Sequence, residues 1–232
     1  MSDINLIVNS DPKSPIAESY RMLRTNVQFS NSGKELKSIM ITSSMPGEGK
    51  STTIANLALT MAQANSRVLI MDCDFRRSIQ HKIFNASAEQ GLSSCIAMGL
   101  DLVDIVQKTA YDNLFIAPSG VIPPNPSELL MSERFKNILE AAKKEFDYIL
   151  IDAPPVAPVT DAIVISNYTD GVLLLVSYNK VSPKAANRVK RQLEIAGANI
   201  LGIVLNKAGV NEHYGYGYGY GYEGYYYDDK KV

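Results

Sequence analysis

Apolar runs alternate with amphipathic stretches along most of the chain. Continuous apolar runs, typical of strands buried on both faces of a parallel sheet, lie at Ser38–Thr42, Val68–Met71, Asn113–Ala117, Tyr148–Ile151, Val172–Val176 and Ile200–Leu205. Helical patterns lie at Ser14–Phe29, Thr52–Ala64, Leu92–Lys108 (as a pair of helices), Ser127–Lys144, Asp161–Asn167 and Pro183–Ala196. The alternation predicts an α/β fold with a mostly parallel central sheet and helices on both faces, and it leaves the strand order open.

This pattern stops near Gly209. Residues 213–229 read HYGYGYGYGYEGYYYDD, in which glycine alternates with tyrosine over the first half and no aliphatic side chain occurs. Such a composition cannot bury enough apolar surface to form a core. The sequence therefore predicts a folded domain over residues 1–208, including the N-terminal helix, and a flexible tyrosine-rich tail over 209–232.

Composition narrows the class of protein. Lys and Arg number 23 and Asp and Glu number 24, so the formal charge of −1 does not favour binding to nucleic acid. The apolar runs reach about seven residues, whereas a membrane-spanning helix needs about 20. Cys73 and Cys95 form no CxxC pair, so we expect neither a disulfide nor a zinc site, and we interpret Cys73 as a small buried residue. We expect a cytoplasmic protein.

A glycine-rich segment, SMPGEGKS at residues 44–51, follows the first predicted strand and opens a helix. In that context it predicts a phosphate-binding loop, because its backbone N–H groups and the helix N-terminus both attract anions. We expect Lys50 to reach the β- and γ-phosphates and Ser51 to ligate Mg²⁺. The predicted nucleotide-binding residues are Ser44, Met45, Pro46, Gly47, Glu48, Gly49, Lys50, Ser51 and Thr52. An ordinary glycine-rich turn is the alternative, and Ser44 stands where the motif usually has glycine.

Three aspartates follow predicted strands. Asp72 and Asp74 come after one apolar run, and Asp152 comes after another. Ligands of open α/β folds bind beyond the carboxyl ends of the strands, so these carboxylates are expected to face the phosphate site. Mg²⁺ bound to a nucleotide needs few protein ligands, and one hydroxyl with one or two carboxylates suffices. A lone aspartate at a strand end is more often a cap or turn residue, and the combination with the phosphate loop favours the functional interpretation.

These motifs, in this order and spacing, resemble those of the bacterial tyrosine autokinases (BY-kinases) of capsule and exopolysaccharide biosynthesis. The tyrosine-rich C-terminus is typical of that family. Glu18-x-x-Arg21-x-x-Arg24 resembles its ring-forming motif, and the segment 124–130 (PNPSELL) resembles a stretch common in its members. The resemblance covers essentially the whole chain and indicates the split form, in which the kinase is separate from a membrane-spanning activator.

The resemblance implies ATP-dependent phosphorylation of tyrosine with Mg²⁺, first on the chain's own tail, in trans within a homo-oligomeric ring. Asp72 matches the catalytic base, with Lys50 and Asp74 also catalytic, and Ser51, Asp74 and Asp152 match the groups that support the metal. The expected phosphorylation sites are Tyr214, Tyr216, Tyr218, Tyr220, Tyr222, Tyr225, Tyr226 and Tyr227. Glu18, Arg21 and Arg24 are expected at the oligomer interface, although their spacing alone is also compatible with a solvated face.

The resemblance further implies two partners. A membrane-spanning polysaccharide co-polymerase would complete the nucleotide site with its cytoplasmic tail and hold the kinase at the inner face of the membrane. A cognate tyrosine phosphatase would reverse the reaction. The process regulated would be the synthesis and export of a capsular or exopolysaccharide.

Two other functions remain open at this point. One is a partitioning-type P-loop ATPase, although such proteins carry a lysine at the second loop position, where this chain has Met45. The other is a nucleotide-binding scaffold without kinase activity, which the intact Lys50, Ser51 and aspartates disfavour. Asn206 and Lys207 either touch the adenine or simply end the last strand.

Overall fold

The computed structural model describes residues 6–30 and 35–208. Its strands are β1 (Ser38–Ser43), β2 (Val68–Asp72), β3 (Gln107–Lys108), β4 (Leu114–Ala117), β5 (Tyr148–Asp152), β6 (Gly171–Ser177) and β7 (Ile200–Asn206). Its helices are α1 (Ile7–Ser10), α2 (Pro15–Phe29), α3 (Lys50–Gln63), α4 (Gln80–Ile83), α5 (Leu92–Met98), α6 (Leu102–Ile105), α7 (Pro126–Met131), α8 (Glu133–Glu145), α9 (Asp161–Ser166) and α10 (Pro183–Ile195).

These strands form one sheet with the order β3-β4-β2-β5-β1-β6-β7. Every neighbouring pair is parallel except β3 and β4, which are antiparallel. The expectation of a mostly parallel sheet is therefore confirmed. The carboxyl ends of β2, β5 and β1 lie side by side, so the segments that follow these three strands share one edge of the sheet.

Side chains on successive strand positions enter two different core layers. Ile39 and Ile41 of β1 belong to the layer that contains α3, whereas Met40 between them belongs to the layer that contains α8 and α9. Every residue of β1 is buried, so apolar side chains are favoured on both faces, and the strand has a continuous apolar run rather than an alternating one.

The N-terminal helix α2 covers α3, which lies between it and the sheet. Ser14 caps α2 by accepting a hydrogen bond from the Ala17 N–H at 3.2 Å, and Pro15 occupies the first helical position. Because α2 shields α3 from solvent, α3 is buried along most of its length.

The predicted helix Ser127–Lys144 is two helices, α7 and α8, and the single-helix prediction is wrong in this respect. Ser132 has an extended backbone (φ −70°, ψ 149°) and caps α8 by accepting a hydrogen bond from the Phe135 N–H. The structure also adds α1 and α4, which were not predicted. The end of the predicted helix pair Leu92–Lys108 is wrong, since Gln107–Lys108 forms the short edge strand β3.

The predicted tail over 209–232, with all eight candidate phosphorylation sites, lies outside the described residues. Within residues 6–30 and 35–208, no helix is long and apolar enough to span a membrane.

Candidate nucleotide and phosphoryl-transfer site

The loop between β1 and α3 turns through two glycines with left-handed backbone conformations. Gly47 has φ +76° and Gly49 has φ +103°, which side-chain-bearing residues rarely adopt. A Cβ atom at Gly49 would lie 2.3 Å from Asn206 Nδ2, inside any permitted contact distance. The left-handed conformation therefore favours glycine here, and an added Cβ would also displace the Asn206 side chain of β7.

The Glu48 side chain braces this loop from the inside. It is fully buried, and its Oε1 accepts a hydrogen bond from the Met45 N–H at 2.6 Å while its Oε2 accepts one from the Ser177 N–H at 2.8 Å. The carboxylate thus joins the loop to the end of β6. The Glu48 side chain therefore stabilises the loop. Any contact of Glu48 with a phosphate would be made by its backbone.

Two lysines and an asparagine hold the loop from the outside. Asn206 Nδ2 donates to the Glu48 carbonyl at 2.8 Å, and the Nζ atoms of Lys180 and Lys207 donate to the Gly47 carbonyl at 3.2 and 3.0 Å. Asn206 and Lys207 therefore contact the phosphate loop itself. Lys180 was not predicted, because it follows no motif and no predicted strand end marks it, whereas Asn206 and Lys207 come at the end of the last predicted strand.

The three predicted aspartates lie together below the loop. Asp72 and Asp152 are neighbours in the register of β2 and β5. Asp72 is 0% exposed, Asp152 is 1% exposed and Asp74 is 7% exposed. Lys50, at the start of α3, is close enough to Asp152 to lower the pKa of its carboxyl group. The structure thus brings the lysine and the carboxylates into one charged cluster.

Gln80, which was not predicted, connects this cluster. Its Nε2 donates to Asp152 Oδ2 at 2.8 Å and to the Ser51 carbonyl at 3.1 Å, and its N–H donates to Asp72 Oδ2 at 3.0 Å. The residue is fully buried. A glutamine six residues after Asp74 carries no distinctive sequence signal, so only the fold reveals this role.

Asp72 lies deeper than Asp74. Its Oδ1 accepts a hydrogen bond from the Asp74 N–H at 3.3 Å, and its Oδ2 accepts one from Ile79 at 3.2 Å in addition to that from Gln80. Asp74 lines the adjacent cleft, whereas Asp72 lies beneath the lining residues. The candidate base is therefore enclosed in this structure, and Asp74 is the carboxylate at the wall.

Burial perturbs the ionisation of these groups. Burial raises the pKa of Asp72 well above its ordinary value, and the neighbouring Asp152 raises it further. Burial also raises the pKa of Asp152, but Lys50 and Ser51 oppose that effect. Burial and then Asp72 raise the pKa of the Cys73 thiol, and this residue is fully buried, in keeping with a packing role.

A cleft of about 360 Å³ opens beside the loop. It is lined by Pro46, Gly47, Lys50, Ser51, Asp74, Arg76, Arg77, Ile79, Pro154, Pro155, Pro158 and Val159. Beneath it, Asp152 Oδ1 is buried without a hydrogen-bond partner among the described residues. A buried, unpartnered carboxylate oxygen next to the Ser51 side chain fits the oxygen ligands that Mg²⁺ prefers.

Comparison with known proteins gives the family. A family model described as an AAA domain matches residues 36–195. The chain is 43% identical over 196 residues to the tyrosine-protein kinase CpsD of Streptococcus agalactiae, covering 84% of this chain and 83% of that one. The chain belongs to the bacterial tyrosine kinases. The kinase domain of the Escherichia coli tyrosine kinase ETK superposes on this BY-kinase with a TM-score of 0.87 at 33% identity, covering 95% and 86% of the two chains.

A second solved structure, the chimerical protein CapA2B2, is 41% identical to this BY-kinase with a TM-score of 0.82, and the match covers 86% and 88% of the two chains. The cell division ATPase MinD of Pyrococcus furiosus is more distant, with 26% identity and a TM-score of 0.63. The fold is thus shared with partitioning-type ATPases, but the chain is a protein-tyrosine kinase by family.

The N-terminal motif of this BY-kinase divides into two parts. Arg21 Nη1 pairs with Glu18 Oε2 at 2.8 Å on the exposed face of α2. Arg24 Nη1 instead donates to the Thr60 carbonyl of α3 at 2.9 Å. Arg24 therefore also connects α2 to α3 within the chain, and the interface role expected for Glu18, Arg21 and Arg24 stays a prediction.

Proposed function

We propose that this kinase transfers the γ-phosphoryl group of ATP to the tyrosines of its own C-terminal segment. The observation that carries the proposal is the buried cluster of Lys50, Asp72, Asp74 and Asp152 beside a phosphate-binding loop. The same chain carries eight tyrosines between residues 214 and 227. A phosphate-binding loop with a carboxylate cluster and a tyrosine-rich segment are thus present in one molecule, which supports the proposal.

Nucleotide binding rests on the loop and on Lys50. The loop backbone and the N-terminus of α3 supply N–H groups for the phosphates, and Lys50 supplies a positive charge for the β- and γ-phosphates. Ser51, Asp74 and Asp152 would hold Mg²⁺, which neutralises charge on the transferred phosphoryl group when bound. The buried Asp152 Oδ1 supports this assignment.

Asp72 is proposed as the group that accepts the tyrosine proton. A tyrosine hydroxyl has a pKa of about 10 and an ordinary aspartate about 4, so Asp72 cannot remove the proton before transfer begins. In a loose transition state the hydroxyl needs orientation first and gives up its proton late. The raised pKa of Asp72 improves the match between donor and acceptor. Since Asp72 lies beneath the cleft, the proposal requires its carboxylate to become accessible when the nucleotide is bound.

Substitution of two aspartates separates these roles. Asp72→Asn is expected to leave the affinity for Mg-ADP within about twofold and to slow tyrosine phosphorylation at least ~100-fold, the usual contribution of a general base. Asp152→Asn is expected to weaken the Mg²⁺ dependence of nucleotide binding itself. Calorimetric titration and phosphate incorporation measure the two effects. Normal transfer by Asp72→Asn would remove that residue from the chemistry.

Transfer is proposed to occur between chains. About twenty tail residues extend up to ~70 Å, which is long enough to enter a neighbour's cleft. A chain with Lys50→Met but intact tyrosines is mixed with an active chain whose eight tail tyrosines are phenylalanine. Phosphate on the Lys50→Met chain is the expected result, and a complete lack of it, with normal activity of the unmixed protein, would show transfer within one chain.

The chains are proposed to form a ring through Glu18, Arg21 and Arg24 of α2. Each phosphate adds about −1.5 to −2 charges, so several phosphates on each tail repel one another and favour dissociation. Light scattering of the dephosphorylated and phosphorylated protein tests this idea. Equal particle sizes in the two states would contradict it.

Polysaccharide synthesis and export are the proposed process, with a membrane-spanning co-polymerase as activator and a tyrosine phosphatase as antagonist. The family supports this assignment, since the similar kinase of Streptococcus agalactiae carries the name CpsD and a solved relative is the chimerical protein CapA2B2. A peptide from the activator's cytoplasmic tail is expected to raise both nucleotide affinity and the rate of phosphorylation. No change in either quantity would argue against that partner.

A further inference from the structure

The Arg76 side chain lines the cleft and forms an ion pair with a buried carboxylate. Its Nε donates to Asp161 Oδ2 at 3.1 Å, and the side chain of Asp161 is 0% exposed. The other carboxylate oxygen, Asp161 Oδ1, accepts a hydrogen bond from the Ser127 hydroxyl. Both carboxylate oxygens of Asp161 are therefore hydrogen-bonded. Asp161, at the start of α9, holds the Nε end of the Arg76 guanidinium in place.

The rest of this guanidinium is available. The Arg76 side chain is 42% exposed, and its two Nη groups have no hydrogen-bond partner among the described residues. Arg76 lines the same cleft as Lys50, Ser51 and Asp74. A planar guanidinium held at Nε presents its remaining N–H groups in a fixed fork, which is suited to a carboxylate or a phosphate.

The tyrosine-rich segment is not uniform in charge. Tyr225–Tyr227 lie between Glu223 on one side and Asp228 and Asp229 on the other. The tyrosines from 214 to 220 are separated by single glycines. A cation at the cleft would therefore distinguish the two groups of tyrosines through the residues that flank them.

We propose that Arg76, held in place by Asp161, is a specificity-determining residue of the kinase. It binds a carboxylate of the acceptor segment next to the reacting tyrosine, so that Tyr225–Tyr227 are phosphorylated before the tyrosines from 214 to 220. This inference rests on the proposed autophosphorylation. It adds the substrate class, which is tyrosine flanked by acidic residues, and it predicts an order.

The test follows phosphate at each tyrosine over time in the full-length, dephosphorylated protein with Mg-ATP. Because an exposed ion pair contributes at most about 1 kcal/mol, phosphate per tyrosine at early times is expected to be about fivefold higher at 225–227 than at 214–220. Arg76→Gln is expected to reduce this ratio to about one. Arg76→Lys keeps the charge without the fork and is expected to restore part of the ratio. Arg188→Gln, on the exposed face of α10, removes one positive charge away from the cleft and serves as the control.

A double-mutant cycle separates recognition from a merely structural effect of Arg76. In a tail with Glu223→Gln, Asp228→Asn and Asp229→Asn, the ratio is expected to be about one already, and Arg76→Gln is expected to change it no further. A ratio near one in the unaltered protein, or an equal effect of Arg76→Gln in both tails, would overturn the inference while leaving autophosphorylation intact. An absence of phosphate from all eight tyrosines, with activator peptide added, would overturn the proposed function itself.

Discussion

Buried polar side chains determine the shape of the site at the residue scale. Glu48 and Gln80 are fully buried and each joins segments that lie far apart in the sequence. A buried polar group that loses its partner costs about 1–3 kcal/mol, so these residues fix the loop and the carboxylates in one arrangement. The motif residues were predictable because they are contiguous, whereas Gln80, Lys180 and Asp161 were not, since their partners are defined only by the fold.

Substitution of Gly49 tests how closely β7 approaches the phosphate loop. Gly49→Ala places a Cβ atom 2.3 Å from Asn206 Nδ2 and adds the strain of a left-handed backbone. Gly197→Ala adds similar backbone strain at φ +85°, with open space around the new atom, and is the matched control. We expect Gly197→Ala to cost about 1 kcal/mol of unfolding free energy. Gly49→Ala should cost more, and it should weaken ADP binding at least ~10-fold because it displaces the loop that binds the phosphates. Equal losses in urea unfolding and unchanged ADP affinity would contradict the close packing.

Asp170 is predicted to make stability depend on pH. Burial acts to raise its pKa, but hydrogen bonds from the backbone and side chain of Ser38 and from Lys143 outweigh burial and leave the pKa below its usual value. A carboxylate whose pKa is lower in the folded state stabilises the fold above its unfolded pKa, and this contribution disappears as the pH falls through the folded pKa.

Asp170→Asn should therefore cost about 2 kcal/mol at pH 7, and the difference from the unaltered protein should shrink below about pH 4. Urea unfolding between pH 3 and 7 measures it, with the exposed Asp112→Asn as the control. A loss that is the same at every pH would contradict the ionic origin of the effect.

At the scale of the elements, apolar periodicity predicted six of the strands correctly but did not indicate where one helix becomes two. The buried face shifts between α7 (Pro126 and Leu130) and α8 (Phe135, Ile138, Leu139 and Ala142). The apolar run Leu129–Met131 offers side chains in several directions, so the sequence alone does not show this shift. The break depends on the Ser132 side chain, which donates to the Leu129 carbonyl and accepts from the Phe135 N–H. The two-residue strand β3 is too short for any periodic signal.

The contact between α2 and α3 gives a prediction for the N-terminal motif. Arg24→Ala removes the hydrogen bond to the Thr60 carbonyl, which is partly buried, and should lower the unfolding free energy by about 1 kcal/mol. Arg21→Ala breaks the pair with Glu18 and a hydrogen bond from Arg21 Nη2 to the Pro12 carbonyl. Because both contacts are exposed, the unfolding free energy should change by less than ~0.5 kcal/mol. Urea unfolding of dilute protein measures both. Equal losses would show that the two arginines have the same role, and a loss of oligomer with Arg21→Ala alone would assign the interface to the exposed pair.

For the whole molecule, the parallel sheet and the position of the site at its carboxyl edge followed from the sequence, but the strand order did not. The order places β5 between β1 and β2, so that Asp152 and Asp72 become neighbours in register beside the phosphate loop. Long-range pairing of this kind leaves no local trace in one sequence. The family and the site together indicate a kinase whose substrate is proposed to be its own C-terminus.

The most direct test of that proposal is intact mass with tyrosine-site mapping. The dephosphorylated protein is incubated with Mg-ATP, with and without the activator peptide, beside a Lys50→Met control. A ladder of added phosphates confined to the tyrosines from 214 to 227, and missing from the control, is the predicted result. Hydrolysis of ATP without any added phosphate would instead indicate a partitioning-type ATPase, and binding of ATP without hydrolysis would indicate a scaffold.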